Sequence, residues 1–324
     1  MKKYMGDILN ITNGDGAIGI MKTANIPGAF LPWRDVLHDG PVPEGLSLAE
    51  LSQVRAKFII SRGWGTPEKI KQGFIERDNM LTSFEDYKKV ILWFEHDLYD
   101  QLQVLQILDW FHHHTPEETK LSLICIDQYL GMLSPNEIMG LFKYEEPVTE
   151  NHLALSSMAW SAFRSTTPEK WRDLLKTDTT AFPFLEGAII RLLEEYPNCS
   201  NGLSRTAQQI LKIISQGEKH PGRVFGRYQE SEDRRFLGDS SFWVILQELL
   251  ESSPPLLNLP EGKELTLPTT PDQKLTITPM GKNVLAGERS WLEMVELDRW
   301  IGGVHLTPGN MWCWDSGTLR HQEG

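Results

Sequence analysis

Acidic and histidine side chains follow a run of apolar residues at 90–94 (VILWF). Glu95, His96 and Asp97 come directly after this run, and Asp100 comes three residues later. Carboxylate oxygens are the ligands that hard divalent cations prefer, and imidazole exchanges protons near neutral pH. The segment therefore combines the residue types of a metal site with those of general acid–base chemistry.

A second polar group, which contains Arg34, Asp35 and His38, follows the candidate strand 28–33 (GAFLPW). If the protein is an enzyme, we expect a divalent cation to be held through oxygen ligands. The expected ligands of that cation are Asp35, Glu95 and Asp97, and the expected general acid or base is His38 or His96. The expected catalytic residues are therefore Asp35, His38, Glu95 and His96.

Residues 13–15 (NGD) follow the apolar run 7–12 (DILNIT) and open a short helix. A helix N-terminus and an arginine both suit oxyanions. This pattern predicts a phosphorylated or nucleotide ligand. The expected ligand-binding residues are Asn13, Gly14, Asp15, Arg34 and Asp100. Helix capping is a sufficient alternative explanation for Asp15 and Asp97.

Gly14, Gly16 and Gly19 have the G-x-G-x-x-G spacing of a dinucleotide-binding turn. Asp35 lies 21 residues after Gly14, at the position where this motif has an acidic residue that binds the ribose hydroxyls. A dinucleotide-binding Rossmann domain is therefore one alternative hypothesis. The other interpretation is a tight turn with a close contact between helix and sheet.

Strands at 7–12, 28–33, 90–94 and 121–126 alternate with helical patterns. This order predicts an α/β fold with a mainly parallel, doubly wound, Rossmann-like sheet. Ligands bind such sheets outside the carboxyl ends of the strands. We therefore expect the polar groups after the strands to converge in one cleft.

The alternation of strand and helix patterns ends near 145–147 (EEP), and mostly helical patterns follow. We predict an α/β ligand-binding domain over 1–146 and a mostly helical domain over 147–324. Helices at 205–215, 221–230 and 240–251 precede two short extended pieces, which is the order of a winged helix over about 203–287. Tryptophans at 291, 300, 312 and 314 predict a buried closing segment.

Basic residues outnumber acidic ones over 205–235, and this balance allows DNA as a partner of the second domain. The third helix, at 240–251, is instead apolar and acidic and lacks a base-reading Arg, Asn or Lys. We therefore favour a winged helix that serves packing or protein contact, with DNA binding as the alternative.

The composition limits the class of protein. The chain has 324 residues and a net charge of −12, which argues against unspecific coating of nucleic acid or anionic membrane. Three widely spaced cysteines exclude a thiolate zinc site and a disulfide scaffold. The first residues turn polar too early for a signal peptide, and no apolar run approaches the ~20 residues of a membrane span. We expect a cytoplasmic protein without a membrane partner.

Residues 13–15 (NGD), 33–43 (WRDVLHDGPVP) and 93–101 (WFEHDLYDQ) together resemble the bacterial family of domain of unknown function 1835. Residues 238–239 (GD) and 298–306 (DRWIGGVHL) are similar to its usual C-terminal companion domain. The resemblance covers most of the chain and implies membership of the family. It implies no activity, because the family has no established one to carry over.

Three hypotheses of function stay open at this point. The first is a domain that binds a phosphorylated or nucleotide ligand, with metal-assisted phosphoester chemistry if it is an enzyme. The second is a non-enzymatic regulator, in which the first domain senses a ligand and the second binds DNA or a protein. The third is a purely structural interaction protein.

Overall fold

The computed structural model describes residues 6–322. The chain forms two compact units, which divide at Ile189, and Gly302–Val304 return to the first unit. The elements of the first unit are β1 (Gly6–Thr12), α1 (Asp15–Thr23), β2 (Ala29–Pro32), β3 (Gly40–Pro41), α2 (Leu48–Ser61), α3 (Pro67–Thr82), β4 (Tyr87–Glu95), α4 (Leu98–His113), β5 (Lys120–Ile126), α5 (Pro135–Met139), β6 (Glu146–Pro147), α6 (Glu150–Phe163) and α7 (Glu169–Asp173).

A five-stranded sheet in the order β2–β1–β4–β5–β6 forms the centre of the first unit. The first four strands are parallel and β6 is antiparallel. The prediction of an α/β fold with a mainly parallel sheet is confirmed, and the four predicted strands are present as β1, β2, β4 and β5.

Strand β4 is buried on both faces. Ile91 and Trp93 belong to a core cluster with Ala17 and Met21 of α1. Successive side chains of a strand point to opposite faces, and the intervening Leu92 is also 0% exposed. This is the environment that the continuous apolar run of 90–94 predicts. The strand therefore fixes the residues that follow it, at 95–97, in position.

Helix α6 packs against α4 in the first unit. The domain border predicted at 146 therefore lies inside this compact unit, because α6 buries Leu155 and Ala159 in it. Within residues 6–322, no helix has the length and the apolar character that crossing a membrane requires.

Helix α8 (Leu185–Leu193) runs across the division into the second unit, which continues to the end of the described chain. The elements that follow it are α9 (Arg205–Ser215), α10 (Pro221–Ser231), α11 (Asp239–Glu251), β7 (Leu257–Asn258), β8 (Thr276–Ile277), α12 (Pro279–Leu285), β9 (Arg299–Gly302), β10 (Val304–Leu306), β11 (Met311–Asp315) and β12 (Thr318–Gln322). Helix α9 contacts α10, α11, α12 and β8. Its apolar face is therefore the centre of packing in this unit.

Two cysteines that are far apart in the sequence meet in the second unit. The Sγ atoms of Cys199 and Cys313 lie 2.6 Å apart, and both residues are free thiols. Sequence spacing does not reveal this contact, because it depends on strand β11 returning beside the loop before α9.

Candidate functional site

Three carboxylates meet at the junction of β4 and α4. Glu95 is the last residue of β4, Asp97 is the N-cap of α4, and Asp100 lies in its first turn. One oxygen of each residue lies within 4.8 Å of the others. The three side chains, which we call the acidic triad, are buried, with exposed fractions of 5%, 3% and 1%.

Part of this arrangement builds the turn between strand and helix. Asp97 Oδ1 accepts hydrogen bonds from the backbone N–H groups of Tyr99 at 2.9 Å and Asp100 at 3.2 Å. Asp100 Oδ1 accepts one from the backbone N–H of Glu95 at 2.8 Å. The helix-capping interpretation of Asp97 is confirmed, but capping occupies only one of its two oxygens.

Asn13 connects the end of β1 to the acidic triad. Its Nδ2 donates to Glu95 Oε1 at 3.0 Å and to Asp100 Oδ2 at 2.8 Å. Its backbone carbonyl accepts from the backbone N–H of Arg34 at 3.1 Å and from the Tyr99 hydroxyl at 3.5 Å. Asn13 therefore joins three of the predicted site residues, Arg34, Glu95 and Asp100, in one place.

Two oxygens of the triad are left for a further partner. Glu95 Oε1 accepts from Asn13 and from the backbone N–H of Leu130 at 2.7 Å. Both oxygens of Asp100 are also occupied. Glu95 Oε2 and Asp97 Oδ2 accept no hydrogen bond from another residue between 6 and 322. These two atoms have the lone pairs that a cation or a shared proton needs.

The electrostatics of the triad favour neutralisation. Burial raises the pKa of Glu95 to about 7. Burial, together with the charge of Glu95, raises the pKa of Asp97 to about 8. Burial and the two neighbouring carboxylates raise the pKa of Asp100 well above its usual range. At neutral pH the triad must therefore share protons or bind a cation, because three adjacent buried charges repel one another.

The neighbouring arginines bind other carboxylates. Arg34 makes a bidentate pair with Asp15, with Nε–Oδ2 and Nη2–Oδ1 distances of 2.7 and 2.6 Å. Arg55 lies 2.9 Å from Asp35, and Arg77 lies 3.7 Å from it. The predicted residues Asp15, Arg34 and Asp35 are thus held in two ion-pair groups beside the triad.

The position of Asp35 changes the expected ligand set. Its side chain is 0% exposed and is held by Arg55, so the structure groups Asp100 rather than Asp35 with Glu95 and Asp97. The same burial removes Asp35 as a binder of ribose hydroxyls. A Cβ added at Gly16 or Gly19 would meet nothing within 4 Å. The backbone of Gly131 packs against that of Gly16, since a Cβ added at Gly131 would lie 3.7 Å from the Gly16 carbonyl carbon.

The two predicted histidines are both buried beside aromatic rings. The His38 ring lies edge-on to Tyr99, with 6.0 Å between ring centroids. The His96 ring lies 5.0 Å from Tyr129 and 6.0 Å from Phe184. Through Tyr99, whose hydroxyl contacts Asn13, His38 belongs to the immediate surroundings of the triad. Gly14, the remaining predicted residue, is the N-cap of α1.

Sequence reasoning missed three contributors to this site: Tyr99, Gln101 and the backbone of Leu130. Gln101 Nε2 donates to the carbonyl of Glu95 at 2.8 Å. Its position four residues after Asp97, on the first turn of a helix, was a usable signal. The Leu130 N–H had none, since a backbone group in a loop carries no mark in the sequence.

A scan against protein-family models and a search of curated proteins return no match for this sequence. An all-oxygen donor set without thiolate or imidazole among its members suits Mg²⁺, Mn²⁺ or Ca²⁺ rather than a softer metal.

Proposed function

We propose that the first unit binds a phosphorylated or nucleotide ligand at the carboxyl ends of its strands, in a Rossmann-like fold, and carries out metal-assisted phosphoester chemistry. One observation carries the proposal: the buried triad of Glu95, Asp97 and Asp100, in which two oxygens lack a donor. A divalent cation neutralises such a group and binds substrate phosphate oxygens at the same time.

The residues of the triad have separate roles in this proposal. Glu95 and Asp97 offer Oε2 and Oδ2 to the cation, while Asp100 is held by Asn13 and by the backbone of Glu95. Mg²⁺ commonly binds one or two carboxylates and completes its shell with water and substrate phosphates. A bound cation would supply charge neutralisation at the phosphoryl group, and Asp100 fixes the Glu95 backbone and the Asn13 amide beside it.

The remaining residues bind the ligand and move protons. The Arg34 side chain, which is 54% exposed and paired with Asp15, suits a phosphate group, which would replace Asp15 as its partner. Gly14 at the start of α1 adds a backbone N–H. His38 or His96 is the proton-transfer group, because imidazole is the side chain that titrates nearest to neutral pH.

Thermal melts with metal test the proposal. We expect Mn²⁺ or Mg²⁺ at millimolar concentration, added after EDTA treatment, to raise the Tm of the wild type by several degrees. Asp97→Asn should abolish this shift. Asp127→Asn is the matched control, since Asp127 is an exposed carboxylate after the neighbouring strand β5. Phosphate release from p-nitrophenyl phosphate and a nucleotide panel measures turnover. Equal shifts in both variants would remove the metal site.

A second candidate function is a ligand-sensing regulator with a winged-helix-like part, and it has one supporting observation. Helices α9, α10 and α11 are followed by the antiparallel pair β7–β8. On α10, Arg223 and Arg227 expose 73% and 55% of their side chains, although both contact Glu218. Duplex binding that weakens with salt and with Arg223→Ala/Arg227→Ala would support it. If the intact protein binds no duplex DNA at low salt, the hypothesis of a DNA-binding regulator is wrong.

We also propose that the chain belongs to the family of domain of unknown function 1835, which it resembles, and that it is located in the cytoplasm. The residues that carry the resemblance, at 13–15, 33–43 and 93–101, include the acidic triad and Asn13. If the triad binds a cation, the resemblance provides a natural set of proteins in which to test the same site.

A further inference from the structure

A cleft with a volume of about 330 Å³ opens beside the end of β2 and is walled by α3 and the loop before it. Sites for small molecules have volumes of about 300–1,000 Å³. The cleft therefore lies at the small end of this range. It suits a compact ligand rather than a dinucleotide.

The walls combine apolar and basic groups. Half-buried Trp64, Ile70 and Phe74 line the cleft, and the exposed Lys69 and Arg34 stand at it. Among the described residues that line the cleft, none carries a carboxylate. Aromatic and aliphatic walls with nearby cations favour a ligand that has a ring-containing apolar body and a negative charge.

Gly73 keeps part of the cleft open. It lies in the middle of α3, where glycine is roughly 1 kcal/mol less favourable than alanine. A Cβ at this position would meet nothing within 4 Å, so neighbouring atoms do not require its absence. The missing side chain instead leaves room in the wall of the cleft.

Arg34 links the cleft to the acidic triad. Its backbone adopts φ 54°, a left-handed conformation that is uncommon outside glycine and that concentrates at functional sites. Its N–H is bonded to the carbonyl of Asn13, and the Asn13 side chain is bonded to Glu95. The anionic end of a ligand in the cleft would therefore lie beside the strand ends.

We propose that this cleft binds a small aromatic anion, with its ring against Trp64 and Phe74. Its anionic group contacts Lys69 and replaces Asp15 as the partner of Arg34. This inference deepens the proposed function and rests on it for one point, that the ligand then meets the triad. Binding in the cleft itself requires no metal.

The test uses 8-anilinonaphthalene-1-sulfonate, a fluorescent aromatic anion, with the full chain in EDTA. We expect saturable binding at one site. Gly73→Leu, which fills the cleft with a better helix former, should weaken binding at least tenfold. Lys69→Gln, on an exposed side chain, should weaken it three- to tenfold. Gly226→Leu is the matched control, because Gly226 is also helical with nothing within 4 Å of its added Cβ.

Two outcomes would overturn the inference. The first is the same affinity for the dye in Gly73→Leu and wild type, both folded by circular dichroism. The second is equally tight binding of the uncharged N-phenyl-1-naphthylamine, which would remove the need for an anion. If Gly73→Leu fails to fold, unchanged affinity for the dye in Lys69→Gln overturns the inference instead.

The Mn²⁺ melts described above separate this inference from the proposed function. Dye binding that depends on Gly73, without any metal shift in the wild type, would support the cleft and refute the metal site. A metal shift that depends on Asp97, without dye binding, would do the reverse.

Discussion

The side-chain amide of Asn13 donates to Glu95 Oε1 at 3.0 Å and thereby joins the loop after β1 to the end of β4. The second hydrogen of the same nitrogen is directed to Asp100 Oδ2 at 2.8 Å. One amide group thus supplies donors to two buried carboxylates whose pKa values are raised. These hydrogen bonds lower both values relative to burial alone, so Asn13 keeps the triad closer to its ionised form.

Replacing Asn13 should destabilise the first unit. We expect Asn13→Ala to lower the free energy of unfolding by about 1–3 kcal/mol, because Asp100 Oδ2 loses its side-chain donor and Glu95 Oε1 keeps only the Leu130 N–H. Urea denaturation at pH 7 in EDTA measures this change. Asn79→Ala on the exposed face of α3 is the control, and we expect its effect to stay within about 0.5 kcal/mol. A smaller loss at Asn13 than at Asn79 would contradict the role assigned to the amide.

Stability should fall as the pH rises when no metal is present. The folded-state pKa values of Glu95 and Asp97, about 7 and about 8, lie above those of unfolded chains, about 4.3 and 3.9. Between pH 4 and 8 the folded chain therefore binds more protons than the unfolded chain. The stabilisation that these protons provide is lost as the pH rises through this window. We expect the free energy of unfolding to decrease by several kcal/mol from pH 5 to 8, because each unit by which a folded-state pKa exceeds the unfolded one corresponds to about 1.4 kcal/mol.

Asp97→Asn tests the origin of this pH dependence. The variant lacks one titrating carboxyl and one source of repulsion on Glu95 and Asp100, so its stability should vary less between pH 5 and 8. Denaturation curves in EDTA at several pH values give the comparison. A wild-type curve that rises over this window, or an unchanged slope in the variant, would contradict the raised pKa values.

Local sequence pattern was sufficient to predict the mainly parallel sheet and the polar residues at the end of β4. The apolar run 90–94 predicted a buried strand, and Glu95, Asp97 and Asp100 do meet at its end. Parallel strands bring their carboxyl ends to one edge, which is why residues so far apart as Asn13 and Glu95 were expected together.

The grouping of charges was not predictable in the same way. Asp35 follows β2 as Glu95 follows β4, but Arg55 and Arg77, from α2 and α3, reach its carboxylate. Which acid receives an arginine depends on how helices pack over long sequence separations. The sequence pattern therefore grouped Asp35 with Glu95 and Asp97, whereas the close carboxylate group in the structure contains Asp100.

Cys199 and Cys313 should form a disulfide on mild oxidation, since their Sγ atoms are in contact. We expect treatment with diamide to remove two hydrogens per chain, as seen by mass spectrometry after digestion. Cys125 should stay reduced, because its Sγ contacts Gln101 Nε2 and the carbonyl of Glu95 rather than another thiol. The bond would close a long loop and raise stability by up to about 4–5 kcal/mol. Cys313→Ser should show neither change, and an oxidised Cys125 would contradict the assignment.

Glu95 and Asp35 are buried acids that should respond in opposite ways to loss of charge. Asp35 is ion-paired with Arg55 at 2.9 Å, and both side chains are 0% exposed. Asp35→Asn leaves that arginine buried without its counter-charge, so we expect the free energy of unfolding to fall by about 3–5 kcal/mol.

Glu95→Gln instead removes repulsion from Asp97 and keeps the oxygen that Leu130 contacts. We expect its stability in EDTA at pH 8 to equal or exceed that of the wild type, while stabilisation by Mn²⁺ is lost. Asp35→Asn, measured at a temperature where it is folded, should retain that stabilisation. Urea midpoints of the wild type and both variants, with and without Mn²⁺, give the six values needed. A destabilised Glu95→Gln that still responds to the metal would assign Glu95 to the scaffold.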